Sequence, residues 1–222
     1  MEKACALAQE LGFDGVDLNT GCPDKSVEKS GGGAALLKNP SLTKELVAAA
    51  KQGAPSLPVS IKTRLGYNKD ILEEWLPTLL ETKPAAIIIH ARTRKEMSAV
   101  PARWERVKKA IEIRDSINPG VLIVGNGDVT GMEDARAKVE ESGADGAMLG
   151  RAIFGTPWLF SDADTTFQHS QECWNVEKRL RVAIEHAELF EEMLGGVKNF
   201  AIMKKHFKAY VEGFDGAKDL RV

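Results

Sequence analysis

Residues 16–40 have the sequence Val16-Asp-Leu-Asn-Thr-Gly-Cys-Pro-Asp-Lys-Ser-Val-Glu-Lys-Ser-Gly-Gly-Gly-Ala-Ala-Leu-Leu-Lys-Asn-Pro40. The alternating run that ends at Asn19 predicts a short buried strand, and the Gly-Cys-Pro step at Cys22 then breaks the chain into a polar loop. Three successive glycines, Gly31 to Gly33, predict a place where the backbone passes close to a flat or anionic group before a helix begins at Ala34. The stretch therefore predicts a thiol just past the carboxyl end of a strand.

The composition is that of a globular protein with one main core and a small appendage. The chain has 222 residues, 43% of them hydrophobic, and a formal net charge of -2. This charge excludes a strongly basic nucleic-acid binder, so any basic surface must be local. The sequence shows no signal peptide or membrane span. The three cysteines are an odd number without paired spacing, which argues against a disulfide framework or zinc site and indicates a reducing cytoplasm.

Four further apolar stretches each end in polar residues, and helical patterns separate them. The stretches are 57–64, 85–92, 121–128 and 145–151, and the helical patterns are 3–11, 41–52, 71–80, 103–116 and 132–142. Strands that alternate with helices predict a parallel sheet covered by helices.

Each predicted strand has its unusual polar residues at its carboxyl end. They are Asn19 and Cys22, Lys62 and Arg64, His90 and Arg92, Asn126 and Asp128, and Gly150 and Arg151. An open doubly wound sheet binds ligands mainly near a switch point, whereas the active site of a barrel lies over all the strand ends. We therefore expect an α/β fold, a TIM-type (β/α)8 barrel. Because only five strands are visible, we expect that barrel to be N-terminally incomplete.

The pattern changes after Phe160. Two apolar stripes at helical spacing follow, the first with Val176, Leu180, Ile184, Ala187 and Leu194 and the second with Phe200, Met203, Phe207 and Tyr210. They predict a barrel domain at 1–160 and a small helical domain at 161–222. The second helix is basic through Lys198, Lys204, Lys205, His206 and Lys208. This basic face is interpreted either as a solvated surface or as a local nucleic-acid contact.

The two last strand ends predict a phosphate site. Gly125-Asn-Gly-Asp128 and Gly150-Arg151 suit the phosphate-binding loops that follow the seventh and eighth strands of such barrels. Arg151 would add a charge-assisted contact. The alternative is that the glycines only make tight turns between strand and helix.

Five motifs together resemble the tRNA-dihydrouridine synthase family. They are Asp17-Leu-Asn-Thr-Gly-Cys-Pro with Gly31-Gly-Gly-Ala-Ala-Leu-Leu, Ser60-Ile-Lys-Thr-Arg-Leu-Gly66, Ile89-His-Ala-Arg-Thr93, Gly125-Asn-Gly-Asp128 and Met148-Leu-Gly-Arg151. The resemblance runs in family order along nearly the whole chain. It implies an FMN-containing barrel with a C-terminal tRNA-binding helical domain, in which NADPH drives reduction of one uridine of tRNA to 5,6-dihydrouridine.

The resemblance also implies roles for individual residues. Cys22 would be the catalytic proton donor to uracil C5, and a mainly protonated thiol suits that role better than a thiolate does. The implied cofactor-binding residues are Lys62, His90, Asn126, Gly127, Asp128, Gly150 and Arg151. The implied substrate-binding residues are Asn19, Arg64, Arg92, Arg94, Lys204 and Lys205, although for the three arginines a structural salt bridge is an equal alternative. Cys5 and Cys173 are interpreted as packing residues. No metal, membrane or protein partner is implied, and the expected location is the cytoplasm.

The chain also departs from the family pattern. The resemblance implies three further strands before Met1 and a longer last helix after Val222, so the sequence is interpreted as an internal fragment or as a gene model that begins at a later methionine. We expect such a chain to bind FMN weakly and to aggregate. Two alternative functions stay open: an FMN barrel oxidoreductase that reduces a free pyrimidine, and a non-catalytic RNA-binding remnant.

Overall fold

The computed structural model describes residues 1–160 and 175–221. Five strands alternate with helices in the first part of the chain. In order the elements are α1 Glu2–Glu10, β1 Val16–Asn19, α2 Lys25–Lys29, α3 Pro40–Gly53, β2 Val59–Arg64, α4 Leu72–Leu80, β3 Ala86–His90, α5 Trp104–Ile117, β4 Leu122–Asn126, α6 Met132–Ser142 and β5 Gly146–Met148. The predicted helix at 132–142 coincides with α6, and the other predicted helices of this part differ by one or two residues.

All five strands are parallel and lie in the order β1-β2-β3-β4-β5. The register sets the strand ends side by side, since Asn19 pairs with Lys62 and His90 pairs with both Arg64 and Asn126. A sheet whose strands follow chain order, each joined to the next by a helix, is the arrangement expected of a barrel wall. Residues that end neighbouring strands are therefore brought to one edge.

One face of this sheet is packed under the helices. Ile61, Ile87 and Ile123 are fully buried there, in a core that includes Trp75 and Leu76 of α4. The indole N–H of Trp75 donates a hydrogen bond of 2.9 Å to the hydroxyl of Thr63, which satisfies the polar ends of two buried side chains. Because side chains alternate along a strand, Lys62, His90 and Asn126 project from the opposite face.

The segment after Cys22 differs from the prediction. A short helix, α2, forms within the predicted loop, with its N-terminus capped by Asp24. The helix predicted to begin at Ala34 is instead a 3-10 helix at Gly33–Lys38. The α-helix begins at Pro40, where Asn39 caps it and the proline occupies the first turn. The cap and the proline fix the start of α3. The six residues of the preceding 3-10 helix, Gly33–Lys38, are wound more tightly than an α-helix.

The chain divides into two compact units, Met1–Gly150 and Arg151–Val222, so the division lies earlier than the predicted one after residue 160. In the second unit, Gly155 shows where the early segment packs, because a side chain there would lie 2.5 Å from the carbonyl oxygen of Ala209. This contact explains why residues 151–160 belong to the second unit.

The second unit contains both predicted helices. The first of them buries a different face from the predicted one. Its α-helices are α7 Val176–Leu194 and α8 Lys204–Tyr210, and 3-10 turns occur at Arg151–Ile153, Phe200–Met203 and Asp219–Arg221. Ala183 and Phe190 are the buried residues of α7, whereas Ile184 of the predicted stripe is 58% exposed. Met203 and Tyr210 of the second stripe are buried. None of the helices in the described residues is long and apolar enough to cross a membrane.

Candidate active site

A polar pocket lies at the carboxyl ends of the first three strands. It has a volume of about 360 Å³ and is lined by Asp17, Asn19, Gly21, Cys22, Pro23, Lys62, Thr63, Arg64 and His90. The structure thus brings the predicted catalytic cysteine into one cavity with four other predicted site residues. No group of three or more metal-ligating side chains occurs in the described residues.

The backbone of the Cys22 loop is fixed from both sides. The side-chain oxygen of Asn19 accepts hydrogen bonds from the backbone N–H groups of Gly21, at 3.1 Å, and Cys22, at 2.9 Å. The carbonyl oxygen of Cys22 accepts from the N–H of Ala34 at 2.8 Å. Because the Asn19 oxygen is occupied by the loop, its NH₂ group is the part suited to a ligand. The half-buried thiol is therefore presented to the pocket by a rigid turn.

Gly33 allows the segment after α2 to pass close to the Cys22 turn. Its φ is +55°, and a Cβ there would lie 2.7 Å from the carbonyl oxygen of Cys22, a distance at which atoms overlap. The close approach at Gly33 is thus an approach of the chain to itself, whereas a Cβ on Gly31 would meet nothing within 4 Å. The expected approach of the triplet to a flat or anionic group stays a prediction.

Lys62 connects the ends of three strands. Its Nζ donates a hydrogen bond of 3.0 Å to the side-chain oxygen of Asn126, and the Asn126 amide N–H₂ donates to the carbonyl oxygen of Met148 at 2.8 Å. Burial is the main cause that lowers the pKa of the Lys62 ammonium, and the nearby Arg64 guanidinium lowers it further. These two hydrogen bonds connect β2, β4 and β5, and they direct the Lys62 ammonium at the pocket.

His90 is neutral in this site. Burial lowers its pKa to about 3, and the cations Arg64, Lys62 and Arg92 lower it further. The Arg92 guanidinium lies 3.3 Å from Nε2 of His90. Because a guanidinium can only donate, we assign Nε2 as the acceptor and Nδ1 as the protonated nitrogen. At neutral pH His90 can thus form hydrogen bonds in the pocket but does not supply a proton as an imidazolium.

The three arginines predicted to contact substrate all have partners within the chain. Arg64 donates to the carbonyl oxygens of Gly21, at 2.9 Å, and Thr93, at 3.0 Å. Arg92 is 3% exposed and pairs with Asp128 at 2.5 Å. Arg94 binds the carboxylate of Glu28 through Nε at 2.6 Å and Nη2 at 2.7 Å. These contacts favour the structural alternative for Arg92 and Arg94, whereas Arg64 also lines the pocket.

The turn after β4 is explained largely by packing. A side chain at Gly125 would overlap the ring of Trp104, whose indole N–H donates to the carbonyl oxygen of Gly127 at 2.8 Å. Asp128 has a φ of +51° and accepts a hydrogen bond from the N–H of Ala102 at 2.8 Å. The tight-turn interpretation therefore accounts for the glycines of this turn without a phosphate.

The remaining predicted residues lie at or beyond the end of the first unit. A Cβ on Gly150 would meet nothing within 4 Å, so its backbone is open to a ligand. Arg151 is exposed and begins the second unit. Lys204 and Lys205 are exposed on α8, and Lys205 Nζ lies 5.3 Å from the centroid of the Phe154 ring. Cys173 lies outside the described residues, and Cys5 is buried as predicted.

The sequence interpretation missed Glu28 and Tyr67. The Tyr67 hydroxyl donates to Glu28 at 3.2 Å, and the Nζ of Lys38 lies 3.6 Å from the centroid of the Tyr67 ring. A charged residue in a short polar segment gives no local signal of a partner far along the chain, so the sequence did not indicate this pair.

Fold and site together define an α/β protein of the TIM-barrel type with a polar pocket at the carboxyl ends of its strands. The crystal structure of 2,3-dimethylmalate lyase, a member of the PEP mutase/isocitrate lyase superfamily, superposes with a TM-score of 0.52, covers 99% of this chain and 86% of that one, and is 14% identical in sequence. At this identity the likeness concerns the fold alone, and it confirms the expected fold class.

The family follows from the sequence comparisons. The model of the dihydrouridine synthase (Dus) family matches residues 1–222, and the chain belongs to that family. It is 38% identical over 221 residues to a "Probable tRNA-dihydrouridine synthase" of Staphylococcus aureus, strain MRSA252, covering 99% of this chain and 65% of that protein. It is 39% identical over 214 residues to "Probable tRNA-dihydrouridine synthase 2" of Bacillus subtilis, covering 96% of this chain and 63% of that protein. The chain thus spans about two thirds of the length of the curated relatives that it matches. The predicted family is confirmed.

Proposed function

We propose that this protein acts in the reduction of a uridine of tRNA to 5,6-dihydrouridine, with Cys22 as the proton donor. The observation that carries the proposal is the pocket in which the Cys22 thiol, the Lys62 ammonium and the neutral His90 ring meet. Membership of the dihydrouridine synthase family and the names of the relatives support the same reaction. A tRNA substrate would also place the protein in the cytoplasm.

The donor set of the pocket fits a flavin. Lys62 offers a cation that can stabilise negative charge on a reduced ring, and Asn126 holds that cation in place. The neutral His90 adds one N–H donor. FMN, reduced by NADPH, would supply the hydride to uracil C6, because thiol, amine and imidazole groups do not donate hydride. The residues expected to hold it are Lys62, His90, Asn126, Gly127, Asp128, Gly150 and Arg151.

The side chains have distinct tasks in this scheme. Saturation of the C5–C6 double bond needs a proton at C5 in addition to the hydride at C6. The Cys22 thiol is the donor we assign, because His90 is unprotonated at neutral pH and the Lys62 ammonium is assigned to the charge of the reduced ring. The NH₂ group of Asn19 orients the uracil, and Arg64 keeps the Cys22 loop in place through the carbonyl oxygen of Gly21.

The test is an assay of tRNA from a bacterial strain that lacks dihydrouridine and expresses this chain together with the coding sequence that flanks it in its genome. We expect dihydrouridine to appear in digested tRNA, measured by nucleoside mass spectrometry. Cys22→Ala should lower the rate by about 10²- to 10⁴-fold, the usual contribution of a positioned acid, while the flavin absorbance of the purified protein is retained. Cys5→Ala, at the buried cysteine of α1, is the matched control and should keep its activity. Full turnover by Cys22→Ala would remove Cys22 from the acid role.

Reduction of a free pyrimidine is the second candidate. The observation that favours it is the engagement of Arg92 by Asp128 and of Arg94 by Glu28, which occupies two side chains expected to contact tRNA phosphates. The strain assay distinguishes the candidates when it is combined with a second measurement, the rate at which the purified enzyme reduces free uridine. Equal rates on uridine and on tRNA would select the second candidate, and a rate on tRNA alone would select the first. On the first candidate, Lys204 and Lys205 of α8 are the remaining basic contacts that we propose for tRNA.

A further inference from the structure

Glu28 is the centre of a polar cluster beside the Cys22 loop. It lies on α2, the helix that follows the loop, and its carboxylate accepts two hydrogen bonds from Arg94 and one from Tyr67. The side chains of Glu28 and Arg94 are 12% and 24% exposed. We call Glu28, Arg94 and Tyr67 the Glu28 clamp. A bidentate pair that is largely shielded from water holds its geometry better than an exposed one.

The clamp joins three segments that are distant in sequence. Tyr67 follows β2, and Arg94 follows β3. The two loops are also joined by backbone bonds of 2.8 Å from the N–H of Arg94 to Gly66 and from the N–H of Lys95 to Tyr67. Two loops of the strand ends thus form one support, and Glu28 fastens α2 to it.

The helix α2 depends on this support. It has five residues and buries none of them, so apolar packing contributes little to its position. Its other side-chain contacts are local to the segment: the Asp24 carboxylate accepts hydrogen bonds from the N–H of Ser26, at 2.8 Å, and from the Ser26 hydroxyl, and Val27 lies against Gly33. These contacts do not tie α2 to the sheet.

A second tie lies on the other side of Cys22. Arg64 donates to Gly21, immediately before the cysteine, and also to the carbonyl oxygens of Thr93 and Met97. The loop after β3 therefore holds the segment before Cys22 through Arg64 and the segment after it through Arg94. The thiol lies between two anchors on the same loop.

We propose that Glu28 is a positioning residue, which holds the Cys22 thiol in the pocket through Arg94 and Tyr67. The clamp assigns Arg94 to the cysteine loop rather than to the phosphates of a nucleic acid. The effect on turnover rests on the proposed role of Cys22 as the acid, whereas the effect on the position of the thiol does not and is measured separately.

The direct test measures how fast iodoacetamide alkylates Cys22 at fixed pH, with the modified peptide quantified by mass spectrometry. Glu28→Ala should raise this rate by about fivefold, because loss of charge-assisted hydrogen bonds lets the loop open more often. Arg94→Ala should have a similar effect, and the double variant should add little to either, since the two residues act as one pair. An unchanged rate in both single variants would overturn the proposal.

Two controls separate loop opening from general destabilisation. Cys5 is 2% exposed, so alkylation of Cys5 in the same sample reports unfolding of the first unit, and it should not rise. Glu73→Ala is the control variant, because it also removes a carboxylate that binds an arginine bidentately, Arg106 between α4 and α5, although Glu73 is more exposed, at 52%. It should leave Cys22 alkylation unchanged. Equal rises at Cys5 and Cys22, or a rise in Glu73→Ala, would contradict the clamp.

Steady-state kinetics on tRNA provide the functional readout. Under the clamp, Glu28→Ala and Arg94→Ala both lower kcat by about tenfold and change KM little, because a displaced acid weakens proton transfer rather than binding. If Arg94 instead binds phosphate, only Arg94→Ala raises KM and Glu28→Ala does not lower kcat, which would overturn the proposal. Full turnover by Cys22→Ala would remove Cys22 from the acid role, and with it the expected effect of the clamp on kcat, while leaving the alkylation result for the clamp intact.

Discussion

The turns after β1 and β4 have similar glycine-rich sequences but are held in different ways. The β1 turn around Cys22 is held by polar contacts from Asn19, Arg64 and the neighbouring backbone. The β4 turn, Gly125-Asn-Gly-Asp128, is held by the ring of Trp104 and the pair of Arg92 with Asp128. At the β4 turn a packed indole ring accompanies the polar contacts, whereas the polar contacts of the β1 turn leave the Cys22 thiol half-buried beside water. The comparison teaches that glycine content does not by itself distinguish a structural turn from a functional one.

The largest effect is expected at the β4 turn. Gly125→Ala should lower the free energy of unfolding by about 3 kcal/mol, because the new methyl group would displace the partly buried ring of Trp104, which packs against the core. Chemical denaturation followed by tryptophan fluorescence measures it. Gly146→Ala in β5 is the control, since a Cβ there would lie 3.8 Å from Val124, an ordinary contact. Equal stability of both variants would show that the β4 turn is not held by packing.

A smaller effect on stability is expected at Gly33, which packs against the β1 turn. Gly33→Ala should cost about 2 kcal/mol, because alanine is strained at a φ of +55° and would approach the carbonyl oxygen of Cys22 at 2.7 Å. Gly32→Ala is the neighbouring control, with its nearest atom at 3.5 Å, and should change stability by less than about 0.5 kcal/mol. The comparison would fail if both variants lost the same stability, as measured by urea denaturation.

The smallest effect is the pH dependence of stability that arises from His90, at the end of β3. His90 has a pKa lowered to about 3 in the folded protein, against an ordinary value near 6.5 when unfolded. The unfolded state therefore binds more protons between these values, so stability is complete above about pH 6.5 and falls as the pH decreases. From pH 6.5 to 5 we expect a loss of about 1 kcal/mol, reduced from the full linkage value because the ring is partly exposed.

The variant His90→Asn tests this assignment. It cannot titrate, so its stability should fall less over the same pH range, measured by urea denaturation at pH 5.0, 5.5, 6.0 and 6.5. An equal slope in both proteins would assign the pH dependence to other groups, such as His206, whose pKa is also lowered by burial.

The sequence predicted the elements well where local periodicity was strong. The pattern at 132–142 gave the bounds of α6, and the apolar run at 85–92 gave β3, because neighbouring side chains in these segments share one burial requirement. It failed on α7, where Ile184 was assigned to the buried stripe and is exposed. A helix in a small domain has apolar residues on more than one side, so periodicity alone does not choose the face.

Five of the residues that line the pocket were predicted from the sequence, but their contacts were not. The position of Cys22 after the first strand and of Lys62 and His90 at the ends of the next two implied a shared edge, because parallel strands align their carboxyl ends. The pairing of Arg94 with Glu28, which lie 66 positions apart, was not predictable, and neither was the proton position on His90. Both depend on distances across three loops.

The sequence by itself determined the order of strands and helices, because each element follows from periodicity within its own segment. It also determined the parallel sheet and the set of polar side chains at one edge, because strands joined by helices run in the same direction. The tertiary structure alone decided which donor meets which acceptor, which glycine is required by a neighbouring backbone, and whether an arginine faces a ligand or another loop. These outcomes depend on atoms that approach within a few ångströms only after the separate segments have packed.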